Sequence, residues 1–324
     1  MNSPPPAARD SHWPFARFGL LAGALAAVAL LCCGHAVAQE TIAPPKVTAS
    51  AVYVLNADTG QPLYRKNADK PVRILSITKL MTAYVLAERL GGQLSDSVTV
   101  TEGHLVGGSS AGLRKGDLWT LEDLLYGTLL VSGNDAALAS ADYAGRTLLA
   151  QEKKRANAMK RFVEEMRSAA VALGAKQTKF ADSYGLSPSN VSTARDVALI
   201  GQTIFRDERL LPYWRCARRT LSIGGPQART ITLNSTVEIL GQDSILGAKT
   251  GSHVGKIIYN LVVAWRAPNG QTIVAVVLGS ASNQARYDDM RAILAALPRD
   301  YPDLAAPATA SVAGPEHGGA ASCP

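Results

Sequence analysis

Apolar and polar positions alternate along this chain in blocks that suggest a fold before any motif is considered. A nearly unbroken apolar run spans residues 18–33. Residues 47–55 and 61–65 flank Asp58-Thr59-Gly60 and read as two short strands around a turn. Pro71 precedes a strongly apolar helical stretch, 76–90, stopped by Gly91-Gly92. Thr120-x-x-Asp123 resembles a capping box with Asp in place of Glu and opens a helix through Leu130. Ser132-Gly133-Asn134 breaks that helix, and a second follows over 135–143. Residues 155–173 form an amphipathic helix ended by Gly174. The second half turns to β: 257–265 and 272–278 are β-rich and enclose Pro268-Asn269-Gly270, a hairpin signal. A helix near 287–297 closes the domain.

Strands, then helices, then strands, then a helix is the order of one α+β unit. An antiparallel sheet built from both chain ends, with a helical subdomain inserted between them, fits it. No internal repeat is visible. Residues 301–324 are rich in Ala, Pro and Gly; almost free of large apolar side chains, they predict a disordered tail.

Composition refines this picture at a few points. The chain has 324 residues, 47 % of them apolar and 18 % charged, enough to bury a full core. Arg9 and Arg17 precede the first apolar run, and Ala36-Val37-Ala38 follows it as a small-x-small site. That is the three-part pattern of a secretory signal peptide over residues 1–38. The run is shorter than the roughly 20 residues a spanning helix needs. Leu31 before Cys32-Cys33 does not suit a lipoprotein signal. Loss of the leader would lower the net charge of +7 by one, leaving a modestly basic protein facing the periplasm or wall, open to peripheral contact with anionic polymers or headgroups. No nucleic-acid motif is present. Cys216 and Cys323 alone remain after the leader, and with Cys323 in the tail no structural disulfide is expected. His104, His253 and His317 have no metal-ligand spacing, which excludes a zinc peptidase. No cofactor is implied.

Three short motifs carry chemistry: Ser76-Ile77-Thr78-Lys79, Ser132-Gly133-Asn134 and Lys249-Thr250-Gly251. Each alone has a bland reading, as a cap, a helix end or a surface strand. Their joint occurrence, in this order and each at an element terminus, is a strong signal and resembles the motif set of penicillin-binding proteins and class A β-lactamases. A spacing of three puts Ser76 and Lys79 on one helical face. A serine hydroxyl needs a base, and Lys79 is a base only when neutral; burial, or a cation such as Lys249, would make it so. Leu75, Ile77, Leu80 and Met81 around it predict a buried helix. Ser132 and Asn134, two apart in a turn, would both face a cleft. Lys249 and Thr250 suit a carboxylate, and Gly251 lets a ligand approach a strand edge.

The sequence resembles the low-molecular-mass penicillin-binding proteins, the serine D-alanyl-D-alanine carboxypeptidases and endopeptidases of peptidase family S11, over roughly 49–297. The flanks match too: Leu80-Met81-Thr82-Ala83, Leu130-Val131, Asp135-Ala136-Ala137, Gly185-Leu186-Ser187 and Ser192-Thr193-Ala194-Arg195-Asp196. The resemblance implies a β-lactamase/transpeptidase-like fold, with the catalytic domain over 39–300. It implies peptidoglycan stem peptides as substrate and β-lactams as covalent inhibitors. It makes Ser76 the nucleophile, Lys79 its base, Ser132 a proton relay and Asn134 a substrate-amide clamp. Lys249, Thr250 and Arg286 would hold the terminal carboxylate, and the backbone N–H groups of Ser76 and Ser252 the oxyanion. Family members commonly follow Lys-Thr-Gly with Thr and then Ala-Gly; here Ser252-His253-Val254-Gly255-Lys256 stands instead. The chain also ends soon after the catalytic region, where many members add a β-rich domain and a membrane anchor. That ending, with Asn190-Val191-Ser192-Thr193-Ala194-Arg195-Asp196, leans toward endopeptidase over carboxypeptidase action.

Two alternatives remain. A serine β-lactamase shares the acylation machinery but adds a deacylating acid; Glu164 and Glu165 are the candidates and read as a solvated helix face. A non-catalytic wall-binding module would keep the groove and lose the nucleophile or base.

Overall fold

The computed structural model describes residues 41–242, 244–305 and 323. The expected leader at 1–38 and most of the expected tail lie outside the described residues. In chain order the elements are β1 (Ala51–Asn56), β2 (Pro62–Lys66), β3 (Val72–Arg73), α1 (Thr78–Leu90), β4 (Ser97–Thr99), β5 (Leu118–Thr120), α2 (Leu121–Leu129), α3 (Asn134–Gln151) and α4 (Ala158–Ala172). Then follow β6 (Val191–Ser192), α5 (Ala194–Arg206), the single turn α6 (Leu211–Trp214), β7 (Arg218–Ile223), β8 (Arg229–Asn234), β9 (Ile245–His253), β10 (Ile258–Arg266), β11 (Thr272–Ser280) and α7 (Asn283–Asp300).

The main sheet has the order β2-β1-β11-β10-β9, antiparallel throughout, so strands from the two halves of the chain meet where β1 pairs with β11. Both faces are covered, which is why its strands read as continuous apolar runs. Val52, Val54, Leu261, Val263, Ala275 and Val277 pack on Met290, Ile293, Leu294 and Leu297 of α7. The alternate residues Tyr53, Leu55, Val262, Ala264, Val274 and Val276 join the core shared with the helices. There α5 comes close because Gly201 lacks a side chain; an added Cβ would sit 3.3 Å from Val262 and Val274.

A buried carboxylate joins the chain ends. Asp289 of α7 accepts from Thr48 N (2.7 Å), Thr48 Oγ1 (2.8 Å), Ala49 N (2.9 Å) and Ser280 Oγ (2.7 Å). Four donors offset the cost of burying the charge.

Several expectations need correction. The helix expected from residue 76 starts at Thr78, after a 3-10 turn over Leu75–Ile77, so Ser76 is not a capping residue. The helix expected over 135–143 continues to Gln151. Helix α5, capped by Thr193 Oγ1 accepting from Asp196 N, and the β7–β8 hairpin were not anticipated. Cys216 and Cys323 form a disulfide, with Cα atoms 5.5 Å apart; the Cys323 carbonyl also accepts from Arg219. Composition marked the end of the chain as unable to bury a core, but one covalent bond needs no core. Glu165 is buried rather than solvated, in ion pairs with Arg89 and Arg161.

Candidate active site

The site lies where three elements converge: the turn leading into α1, the break between α2 and α3, and the end of the edge strand β9. Its first part is a tight reversal. Leu75 has φ of 54°, a left-handed conformation costly for a branched side chain, and Ile77 N donates back to Ile74 O at 3.2 Å. Two glycines press on this reversal. A Cβ on Gly185, itself at φ +95°, would run into the Leu75 carbonyl, and one on Gly251 would meet the Ile74 carbonyl. Asn260 Nδ2 holds Arg73 O at 3.0 Å, and Ile74 N donates to Asn190 O at 3.3 Å. The strained turn is therefore braced on several sides and presents Ser76 at its crest.

Lys79, the second residue of α1, is fully buried. Its Nζ lies 3.0 Å from Ser76 Oγ, 2.7 Å from Asn134 Oδ1 and 2.8 Å from Tyr184 O. Among the described residues it pairs with no carboxylate. Burial and then the charge of Lys249 push its ammonium well below the usual lysine range, against the pull of Asp182 and Asp135. A neutral amine has two N–H donors and one lone pair. Tyr184 O and Asn134 Oδ1 are acceptors only and take the two donors. The lone pair is left for Ser76, whose hydroxyl can donate.

Ser132, with φ of 59°, sits in the break between α2 and α3. Its Oγ accepts from Lys249 Nζ at 2.9 Å, and the same Nζ lies 3.1 Å from Thr250 O. Lys249 is also buried; burial and then the neighbouring Arg286 push it down to about 7. Asn134 has both ends of its amide committed, Oδ1 to Lys79 and Nδ2 to Gly107 O at 2.8 Å. The residue expected to clamp substrate thus also holds the lysine. Asp135 anchors the opposite wall by accepting from Ala111 N and Ser110 Oγ.

Strand β9 is an edge of the sheet, and Gly251 sits against the turn that carries Ser76. Thr250 is nearly buried beside it, and Ser252 is exposed. Arg286, buried at the start of α7, donates to Ser252 Oγ at 2.6 Å and stacks near Tyr287 and Tyr259. Its Nε is buried without a hydrogen-bond partner among the described residues. The structure thus brings together all nine residues singled out in the sequence: Ser76, Lys79, Ser132, Asn134, Lys249, Thr250, Gly251, Ser252 and Arg286.

The sequence profile of the D-alanyl-D-alanine carboxypeptidase family S11 matches residues 38–282. The chain belongs to this family. It is 30 % identical to D-alanyl-D-alanine carboxypeptidase DacC of Escherichia coli K12, over 79 % of this chain and 63 % of that protein. It is 31 % identical to the D-alanyl-D-alanine carboxypeptidase of Streptomyces sp. K15, over 82 % of this chain and 93 % of that one. The chain therefore spans just under two thirds of DacC and nearly all of the Streptomyces relative. The crystal structure of the Streptomyces K15 DD-transpeptidase superposes with a TM-score of 0.71 at 31 % identity, covering 78 % of this chain and 98 % of that one. The β-lactamase/transpeptidase-like α+β fold that the resemblance implied is thus the fold observed.

The motifs did not reveal the loop over 181–190. Asp182 and Asn190 shape it, and its Tyr184 carbonyl reaches Lys79. Gly185-Leu186-Ser187 drew notice only through resemblance. A carboxylate two residues before a Tyr-Gly pair is a turn signal that could have located the loop, though not its contact with the lysine.

Proposed function

We propose that this protein is a serine DD-peptidase that hydrolyses D-alanyl peptide bonds of peptidoglycan stem peptides through an acyl-enzyme on Ser76, and that β-lactams inhibit it covalently. The observation that carries this reading is that buried Lys79 Nζ lies 3.0 Å from Ser76 Oγ and, among the described residues, pairs with no carboxylate. Lys79 takes the Ser76 proton as Oγ bonds to the peptide carbonyl carbon. The oxyanion forms between the backbone N–H groups of Ser76 and Ser252. Ser132 passes the proton taken by Lys79 on to the leaving amine as the C–N bond breaks, and water hydrolyses the ester left on Ser76, restoring its hydroxyl. Lys249, Thr250 and Arg286 receive the terminal carboxylate, and the substrate backbone pairs along the β9 edge. A cell-wall-facing, periplasmic location with a cleaved leader, and peripheral contact with wall or membrane, complete the reading.

A β-lactamase is less well supported. Glu165 is held by Arg89 and Arg161, and Arg89 lies ten residues beyond Lys79 on α1, about 15 Å along the helix. Glu164 is exposed on the outer face of α4. The penicillin adduct should therefore persist, and following intact-protein mass after treatment checks this; clearance within seconds would favour the β-lactamase. The primary test is Ser76→Ala. We expect it to fold and to lose all covalent labelling by a fluorescent penicillin, and persistent labelling would remove Ser76 from its role. Muropeptide digestion with product identification distinguishes carboxypeptidase from endopeptidase action.

A further inference from the structure

The Ser76–Lys79 pair rests on a loop whose organiser is a carboxylate that takes no part in the three motifs. Asp182 accepts from Tyr184 N (2.9 Å) and Gly185 N through Oδ1, and from Ser187 N (2.6 Å) through Oδ2. Asn190 Nδ2 donates to the same Oδ1 at 3.0 Å, while Asn190 Oδ1 accepts from Ala181 N at 2.7 Å. Among the described residues Asp182 has no ion-pair partner, although Lys160 and Arg167 of α4 line the cavity of about 360 Å³ beside it. Its charge is held by hydrogen bonds.

The loop so formed runs along α1 and meets it at three successive places. Asn190 Nδ2 reaches Thr78 Oγ1 (3.1 Å), Tyr184 O receives Lys79 Nζ (2.8 Å), and Ser183 O receives Thr82 Oγ1 (2.6 Å). The amides that Asp182 gathers flank the Tyr184 carbonyl, so the carboxylate fixes the direction in which that carbonyl points. It also sets Gly185 against the Leu75 carbonyl, behind the nucleophile.

We propose that Asp182 is a positioning residue for acylation: by fixing the Tyr184 carbonyl as the second acceptor on Lys79, it aims the lysine lone pair at Ser76. Without that acceptor the amine can rotate about its terminal bond and turn an N–H toward Ser76 instead. The inference rests on the DD-peptidase reading, since it needs Lys79 to act as the base. A second effect accompanies the first. The charged groups facing Lys79 are Lys249 from β9, Asp135 from α3 and Asp182 from the loop. Asp182 favours the lysine ammonium, so its removal lowers the pH at which Lys79 gains its proton.

The test is the rate of acylation by a fluorescent penicillin as a function of pH, for the wild type, Asp182→Asn and Asp182→Glu, with thermal unfolding alongside. Asp182→Asn should acylate roughly 10²-fold more slowly, the order of loss expected when a reacting group is misplaced by about 1 Å. Its acid limb should move to lower pH. Asp182→Glu keeps the charge but misplaces the carboxylate by one methylene, so its limb should stay in place while its rate falls. A folded Asp182→Asn that acylates at the wild-type rate, or that slows with the acid limb unmoved, overturns the proposal. If Asp182→Asn does not fold, Asp182→Glu decides: a wild-type rate overturns the proposal, and a slowed rate with an unmoved limb supports it. A wild type that takes no label overturns the DD-peptidase reading itself, a result distinct from failure in the variants alone.

Discussion

At the scale of single residues, the proposed mechanism divides the labour of the two buried lysines by protonation. In it Lys79 works when neutral, and Lys249 binds a carboxylate when charged. The kcat/KM for a peptide with a free terminal carboxylate should therefore fall on the acid side as Lys79 gains its proton. It should also fall on the alkaline side as Lys249 loses its own, at about 7 in the free enzyme. An acyl donor without that carboxylate should lack the alkaline limb, and a limb shared by both substrates would show that Lys249 does something else. Lys249 has a stability consequence as well. Its folded value lies below the ordinary 10.5, so between about pH 7 and 10 the unfolded chain binds more protons and stability rises with pH. Lys249→Met should flatten that rise in denaturant titrations at several pH values. Ser76, Lys79, Ser132 and Lys249 were legible in the sequence because each belongs to a short motif of fixed spacing. Asp182 and Tyr184 were not. Tyr184 acts through its backbone carbonyl, which any residue supplies, and Asp182 acts through the backbone around it.

At the scale of elements, most strands and helices that bury one face or both were read to within a few residues, because burial imposes a period, but α3 was read eight residues short and α5 was missed. The misses have local causes. Helix α1 starts late because the nucleophile turn takes the preceding residues. The β7–β8 hairpin hid because most of its residues are polar and at least half exposed. The bracing of the nucleophile turn by Gly185 and Gly251 depends on atoms those residues lack. Gly185→Ala would need a left-handed alanine and a Cβ inside the Leu75 carbonyl. We expect a loss of stability on the order of 2 kcal/mol or more and a still larger loss of acylation rate. Paired thermal-melt and labelling measurements check this; a variant that labels normally would mean the turn tolerates displacement.

At the scale of the whole molecule, the Cys216–Cys323 bond ties residues 107 positions apart. Cys216→Ser should lower stability by about 2 kcal/mol, with little change in acylation, since neither cysteine belongs to the three motifs. Denaturant unfolding with and without reductant measures it, and an unchanged midpoint would show that the bond constrains nothing that matters to folding. The meeting of β1 with β11 has another consequence, for biosynthesis. Ala51 pairs with Leu278, so the centre of the sheet is complete only after more than two hundred further residues have been made. At roughly 5–20 residues per second, an N-terminal hairpin waits ten seconds or more on the ribosome without its neighbour. Throughout that delay the nascent chain lacks its central sheet, and a ribosome stalled before β11 would hold a polypeptide that no arrangement of its earlier segments can complete.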